Sequence, residues 1–230
     1  MSNEKSDPKN WSPATRMVRG GTVRSEFMET SEAIFLTSGF TYNSAAEADA
    51  RFAGDLPGYV YGRYGNPTLK MLEDRLALIE GADVCRVTSS GQAAVAAVML
   101  AQLKAGDIVV ASKALFFSCR WIVETFMPKF GVVARLVDGD DLSQWKEALK
   151  GARIALIESP TNPMLGLVDI AAVAELCKRT ARNWSSTTCS PRRCCKSRWS
   201  WAPISSSIPP PSISMARAGR WAAPFLAKPI

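Results

Sequence analysis

Three short stretches of this 230-residue chain carry side chains that could do chemistry. Tyr61 and Arg63, in the run YGRYGNPT (61–68), pair a phenol with a guanidinium, and together these can hold a phosphate through charge-assisted hydrogen bonds. The same residues in a Gly-rich loop also suit plain surface packing. Ser89-Ser90-Gly91-Gln92 follows a strand-like run and opens a helical one. Backbone N–H groups at a helix start have no intrahelical acceptor, so an anion can sit there, although an ordinary strand–helix turn uses the same residues. Glu158-Ser159-Pro160-Thr161-Asn162-Pro163 closes a strand whose C-terminal end would face the ligand crevice of an open α/β sheet. Its prolines and asparagine equally suit a capped turn. There is no histidine, which excludes His-based metal sites and Ser-His or Cys-His nucleophile pairs.

The elements that must hold these stretches alternate in period. Asn66 can cap a helix with Pro67 at its first position, Leu69, Leu72, Leu76 and Ile79 fall on one face, and Gly81 can stop it. VCRVT (84–88) reads as a strand, QAAVAAVMLAQL (92–103) as a helix and IVVA (108–111) as a strand. A helix around 119–127, a strand VVARLV (132–137), a helix over 142–150 and a strand RIALIE (153–158) continue the pattern. Strands alternating with helices imply an α/β fold, a mainly parallel sheet with helices on both faces. No dinucleotide-binding or P-loop glycine motif and no internal repeat is present. Residues 1–60 are less regular and read as an extended arm.

Composition divides the chain near residue 182. No acidic residue follows Glu175, and residues 183–230 hold seven of the 28 Lys and Arg, so residues 1–182 are balanced at 21 basic and 21 acidic. The net charge of +7 therefore belongs to the tail, which also carries three of six cysteines, four of seven tryptophans and seven of fourteen prolines. Cys189, Cys194 and Cys195 lack zinc-finger spacing, and no metal site is expected. No apolar run reaches the roughly 18 residues of a membrane span, and the N-terminus lacks a signal-like apolar stretch, so a cytoplasmic protein is expected.

Taken together and in order, YGRYGNPT, strand-SSGQAA-helix, AGD before a strand and ESPTNP followed by LVDI resemble the Cys/Met-metabolism (trans-sulfuration) family of pyridoxal-phosphate enzymes. The resemblance spans nearly all of residues 14–182. The opening (TRMVRGG, ETSEAIFLTSGF, AARFAGDLPGYVYGRYGNPT) is most similar to the O-succinylhomoserine sulfhydrylase members. It implies the large domain of the aspartate-aminotransferase-like fold over 61–182, incomplete, with no C-terminal small domain. It further implies that Tyr61 and Arg63 reach the cofactor phosphate of a neighbouring subunit and that Gly91 and Gln92 donate N–H groups to the phosphate. Phe116 stands where the family stacks an aromatic ring, usually tyrosine, on the pyridine, and a phenyl ring can still stack. Phe117 replaces a usual glycine, and Ser118 falls where methionine γ-lyases carry cysteine. Glu158 and Asn162 match residues beside the ring, Asn162 near its phenolic oxygen. Arg19-Gly20-Gly21 stands for the family's His-Gly-Gly.

Beyond residue 182 the resemblance stops. The family's aspartate for the pyridine nitrogen and its Schiff-base lysine in Ser-Ala-Thr-Lys are both missing. Residues 208–215 can be encoded ATT CCG CCA CCA AGT ATA TCG ATG. With a T in front and read one base earlier, this becomes YSATKYID. The same offset turns SSTTCS into VVDNVF, APISSSI into the end of GADIVVY, and MARAGRWAAP into DGQGRALGGA. The expectation is a frameshift near Arg182, with an out-of-frame, disordered tail over 183–230. Thr187 then overlaps the lost aspartate codon and Ser212 the lost lysine codon, so no catalytic residue is expected here.

By resemblance the parent activity makes homocysteine from O-succinylhomoserine, or O-acetylhomoserine, and sulfide in methionine biosynthesis, with pyridoxal 5′-phosphate as cofactor. The family assembles as a tetramer of paired dimers. The chain as written is expected to be inactive. Cystathionine γ-synthase or γ-lyase chemistry uses much the same site and stays open. From another class, a non-catalytic protein with a basic nucleic-acid-binding tail is a second alternative, since a tail rich in Arg and Trp imitates nucleic-acid or membrane affinity. Out-of-frame GC-rich DNA yields the same composition, so neither nucleic acid nor membrane is expected as a partner.

Overall fold

Short polar side chains start most of the helices, at the points where the sequence sets Ser, Asn or Asp before a helical run. The computed structural model describes residues 7–180 and three further segments, Ser185–Thr188, Ile213–Ala216 and Ala223–Ala227. These residues form two compact units, Met1–Glu80 and Gly81–Ile230.

The described residues of the first unit hold a short 3-10 turn, Pro8–Asn10, and three α-helices. Ser12 caps α1 (Pro13–Arg19), Ser44 caps α2 (Ala45–Ala53), and Gly54, at φ +87°, ends α2 in the left-handed conformation. Helix α3 (Pro67–Glu80) starts where Asn66 Oδ1 accepts the Thr68 N–H at 2.9 Å and stops at Gly81, φ +68°. Helix α1 packs on α3. The approach is close because Gly20 and Gly21 lie against α3. A Cβ on Gly21, whose φ is +72°, would fall 2.5 Å from the Met71 carbonyl oxygen. Arg75 then ties this segment down: its Nε donates to Gly20 O at 2.7 Å, and its Nη2 donates to Thr22 Oγ1 at 3.1 Å and pairs with Glu32.

In the second unit, β1 (Val84–Thr88) leads into α4 (Gly91–Gln102), capped by Ser90 Oγ on the Ala93 N–H. Strand β2 (Ile108–Ser112) is central in a parallel sheet of order β3-β2-β4, where β3 is Val133–Val137 and β4 is Ile154–Leu156. Residues 109–112 of β2 are wholly buried, the signature of a strand covered on both faces. Because successive side chains point to opposite faces, Val109 and Ala111 join a core with Ala94, Val98 and Met99 of α4. Val110 joins another with Trp145 of α6 (Leu142–Ala148) and Val173 and Cys177 of α7 (Ile170–Thr180). Burial pushes the Cys177 thiol up to about 12, which keeps it protonated. A second sheet has the order β1-β7-β6-β5, with β5 Ser185–Thr188, β6 Ile213–Ala216 and β7 Ala223–Ala227. In it β5 and β6 are parallel, and β7 runs antiparallel to β6 and β1. The architecture is α/β, with a parallel sheet and helices.

Several expectations are corrected. The expected arm contains α1 and α2, each nucleated by a serine cap. The division between units falls after Glu80, and α3 groups with the N-terminal residues. Leu69 and Leu72 are exposed, and α3 buries Met71 and Ala77 instead; the register of the close Gly20–Gly21 approach selects that face. The helix expected around 119–127 is α5 (Phe117–Trp121) running into a π-helical turn, Ile122–Phe126, and a 3-10 turn, Met127–Phe130. Pro128, which has no N–H to continue an α-helical ladder, lies in that last turn. The expected tail over 183–230, including Ser212, lies outside the described residues except for β5, β6 and β7.

Candidate functional site

Tyr61 and Arg63 belong to the first unit, and Gly91, Gln92, Phe116, Glu158 and Asn162 to the second. The loop bearing Tyr61 and Arg63 is fastened at both ends. Upstream, Tyr61 bridges Gly39 antiparallel, and the Gly62 N–H donates to Ser38 O at 2.7 Å. Downstream, Asn66 Nδ2 donates to Phe35 O at 3.0 Å and Thr37 O at 3.2 Å, while Thr68 Oγ1 accepts the Phe35 N–H at 2.9 Å. Between these fastenings the Arg63 guanidinium lies over the Tyr61 ring at 5.3 Å and over the Tyr64 ring at 5.6 Å. It has no carboxylate partner among the described residues. Two rings thus hold an exposed cation in place while leaving its N–H groups for an anion. The double tie made by Asn66 was not legible in the sequence, where NPT signals only a helix start. Its partners lie 29 and 31 residues upstream.

At the start of α4 the Ser90 hydroxyl is spent on Ala93, and Ala94 N–H donates to Ser90 O at 3.0 Å. Gly91 and Gln92 are the first two helical residues, so helix geometry gives their N–H groups no acceptor within the helix. The twelve-residue helix also points the positive end of its dipole there. Ala94, two residues on, and Leu115, the residue before Phe116, lie in the same buried cluster, so α4 and the start of α5 are anchored in one core.

Phe116 is 40% exposed and sits immediately before α5. Its N–H donates to Glu158 Oε2 at 2.5 Å. Strands β2 and β4 are parallel neighbours, and that pairing brings the segments after their C-terminal ends together. Phe117 is the first residue of α5 and does not take a positive φ, so its side chain imposes no backbone strain. Glu158 is buried, and its Oε1 has no hydrogen-bond partner among the described residues. Asn162 is exposed on a small closed loop. Buried Thr161 holds that loop: its Oγ1 accepts the Gly166 N–H at 2.8 Å, and its N–H donates to Gly166 O at 2.9 Å. The arrangement offers anion donors at a helix start, an exposed aromatic ring and an exposed amide, all after strand ends. Among the described residues no group of three metal-ligating side chains comes together, and no helix is long and apolar enough to cross a membrane.

The chain is 53% identical over 170 residues to an O-succinylhomoserine sulfhydrylase of Mycobacterium tuberculosis (strain ATCC 25618 / H37Rv), covering 74% of this chain and 42% of that protein. It is 33% identical over 171 residues to an L-methionine gamma-lyase of Fusobacterium nucleatum subsp. polymorphum, covering 74% and 43%. The chain thus spans less than half the length of these curated relatives. Its fold matches a crystal structure of MetB from Corynebacterium glutamicum with a TM-score of 0.76 at 25% identity, over 97% of this chain and 57% of that one. The family model for Cys/Met metabolism PLP-dependent enzymes matches residues 14–186, three quarters of the chain, and the chain belongs to that family.

Proposed function

We propose that this chain carries most of the cofactor-binding half of an O-succinylhomoserine sulfhydrylase, and that its gene is frameshifted near the Arg182 codon. The observation that carries the assignment is the presence of the Gly91 and Gln92 amides, which have no acceptor within α4, together with the exposed Phe116 ring in a chain 53% identical to such an enzyme. The described residues fit pyridoxal phosphate at its phosphate end and at one ring face. The amides and the helix dipole suit an anion, the Phe116 ring suits an aromatic face, and Asn162 Nδ2 suits an oxygen acceptor. Bound there, the cofactor supplies an electron sink for bonds at the substrate α-carbon. Arg63 and Tyr61 add charge and a hydroxyl donor toward the phosphate of a neighbouring copy in a homo-oligomer. Overall, sulfide replaces the ester at the γ-carbon of O-succinylhomoserine or its acetyl analogue, giving homocysteine and succinate or acetate, in the cytoplasm.

The frameshift rests on the sequence. The family match ends at residue 186 while the chain continues to residue 230, and a constant one-base offset recovers successive family segments beyond that point. With Ser at 212 and Thr at 187, the positions of the tethering lysine and the pyridine-facing aspartate carry neither amine nor carboxylate. No covalent step is assigned to this chain.

Sequencing the DNA around the Arg182 codon tests the frameshift, and codons at 208–215 that yield no SATKY in a shifted frame overturn it. The restored full-length enzyme tests the activity. Release of succinate with homocysteine formed from sulfide is expected. Cystathionine formed from cysteine in preference, or cleavage of methionine without an ester substrate, moves the assignment to the γ-synthase or γ-lyase members.

A further inference from the structure

Glu158 is 1% exposed, so a ligand lying in the crevice beyond the strand ends does not reach its carboxylate without moving protein. What the carboxylate does reach is backbone: Oε2 takes the Phe116 N–H at 2.5 Å, across 42 residues of chain. Phe116 stands at the N-cap position of α5, where a short polar side chain ordinarily satisfies the first amides, and no side-chain cap is made there. Glu158 thus supplies, from the end of the neighbouring strand, a hydrogen bond to the residue that starts the helix. Its cost is visible, since Oε1 remains buried without a partner and half-satisfied buried carboxylates are destabilising. The ring that projects from this residue is 40% exposed.

We infer that Glu158 is a positioning residue that makes no ligand contact and acts through Phe116, locking the backbone from which the ring projects. This revises the role implied by resemblance, in which Glu158 stands beside the cofactor ring. It rests on the reading of Phe116 as the ring's stacking face.

The test uses the full chain and pyridoxine 5′-phosphate, which has no aldehyde to react with stray lysines. Binding is followed by calorimetry and backbone amide exchange by mass spectrometry. Phe116→Ala removes the stacking face and is expected to weaken binding about fivefold to tenfold, the range of an aromatic contact. Glu158→Ala is expected to weaken it to a similar degree, Glu158→Gln, which keeps an acceptor oxygen, by less than about threefold, and the double variant no more than about twofold beyond Phe116→Ala alone. The Phe116 amide should exchange fast in Glu158→Ala and slowly in the wild type and Glu158→Gln, with β2 and β4 unchanged. Additive losses overturn the inference, as does exchange that rises throughout β2 and β4 or stays slow at Phe116. If Phe116→Ala leaves affinity unchanged, or the unaltered chain does not bind the probe, the stacking reading fails. The exchange measurement then decides by itself whether Glu158 holds Phe116.

Discussion

The two units are held together by different physics. Residues 81–180 bury two apolar clusters on either face of a parallel sheet, with Trp145, Met99, Leu156 and Ile157 wholly or almost wholly out of water. Among its described residues the first unit buries only Met71 and Ala77 of its apolar side chains, and Phe27, Ile34, Leu36 and Phe52 are exposed. Its order comes from polar ties such as Asn66 to Phe35 and Thr37, and Arg75 to Gly20, Thr22 and Glu32. Each such tie contributes about 1 kcal/mol net, against 1.5–3 kcal/mol for a buried Leu or Ile. The residues proposed to meet a phosphate follow suit: Gly91 and Gln92 ride on a helix seated in a core, while Arg63 rides on a loop held by side-chain hydrogen bonds.

That contrast can be broken most forcefully in the sheet. Leu156→Ala should cost about 2–5 kcal/mol in urea unfolding, because a close-packed core does not fully collapse around the lost atoms. A loss under about 1 kcal/mol would mean that the sheet is looser than its burial implies.

Next comes Arg63→Ala in the restored, assembled enzyme. It should lower cofactor affinity about tenfold to a hundredfold, the value of one charge-assisted contact. Its melting midpoint should stay put, since two exposed cation–π contacts are worth little.

Asn66→Ala should destabilise the first unit by about 3 kcal/mol, from the lost cap and the two lost donations. Asn66→Asp separates these, because the carboxylate still caps Thr68 N–H but cannot donate to Phe35 O and Thr37 O. Faster exchange of the Phe35 amide in both variants would assign the tie rather than the cap as the device that orders the loop. Equal protection in Asn66→Asp and wild type would refute that.

The smallest effect is a pH dependence in the second unit. Hydrogen bonds from the Ser143 side chain and the Gln144 backbone hold the Asp141 carboxyl below its ordinary 3.8. A folded value below the unfolded one stabilises above the unfolded value, and this stability is lost as pH falls through the folded one. Asp141→Asn, which keeps a cap acceptor without the charge, should therefore flatten the melting temperature's fall in acid. An unchanged acid limb would rule out this cap as its source.

Much of the second unit was legible because its signals are local. β1 is VCRVT itself, Ser90 caps α4, and IVVA lies within β2, since a short apolar run between turn residues leaves few alternatives once both faces are covered. The first unit was read as an arm because its order depends on contacts far apart in sequence. Leu69 and Leu72 looked like a core stripe by period alone and are exposed, because the face that α3 buries was chosen by Gly20 and Gly21 fitting against Met71 and Arg75.

The sequence by itself determined the family, from YGRYGNPT, SSGQ and ESPTNP in their order, and the absence of a lysine at 212, because residue identity and spacing are written along the chain. Only the tertiary structure decided that Glu158 accepts the Phe116 N–H, and that Asn66 ties down Phe35 and Thr37. Which atoms a polar side chain meets is set by where distant backbone comes to rest, and no local pattern encodes that.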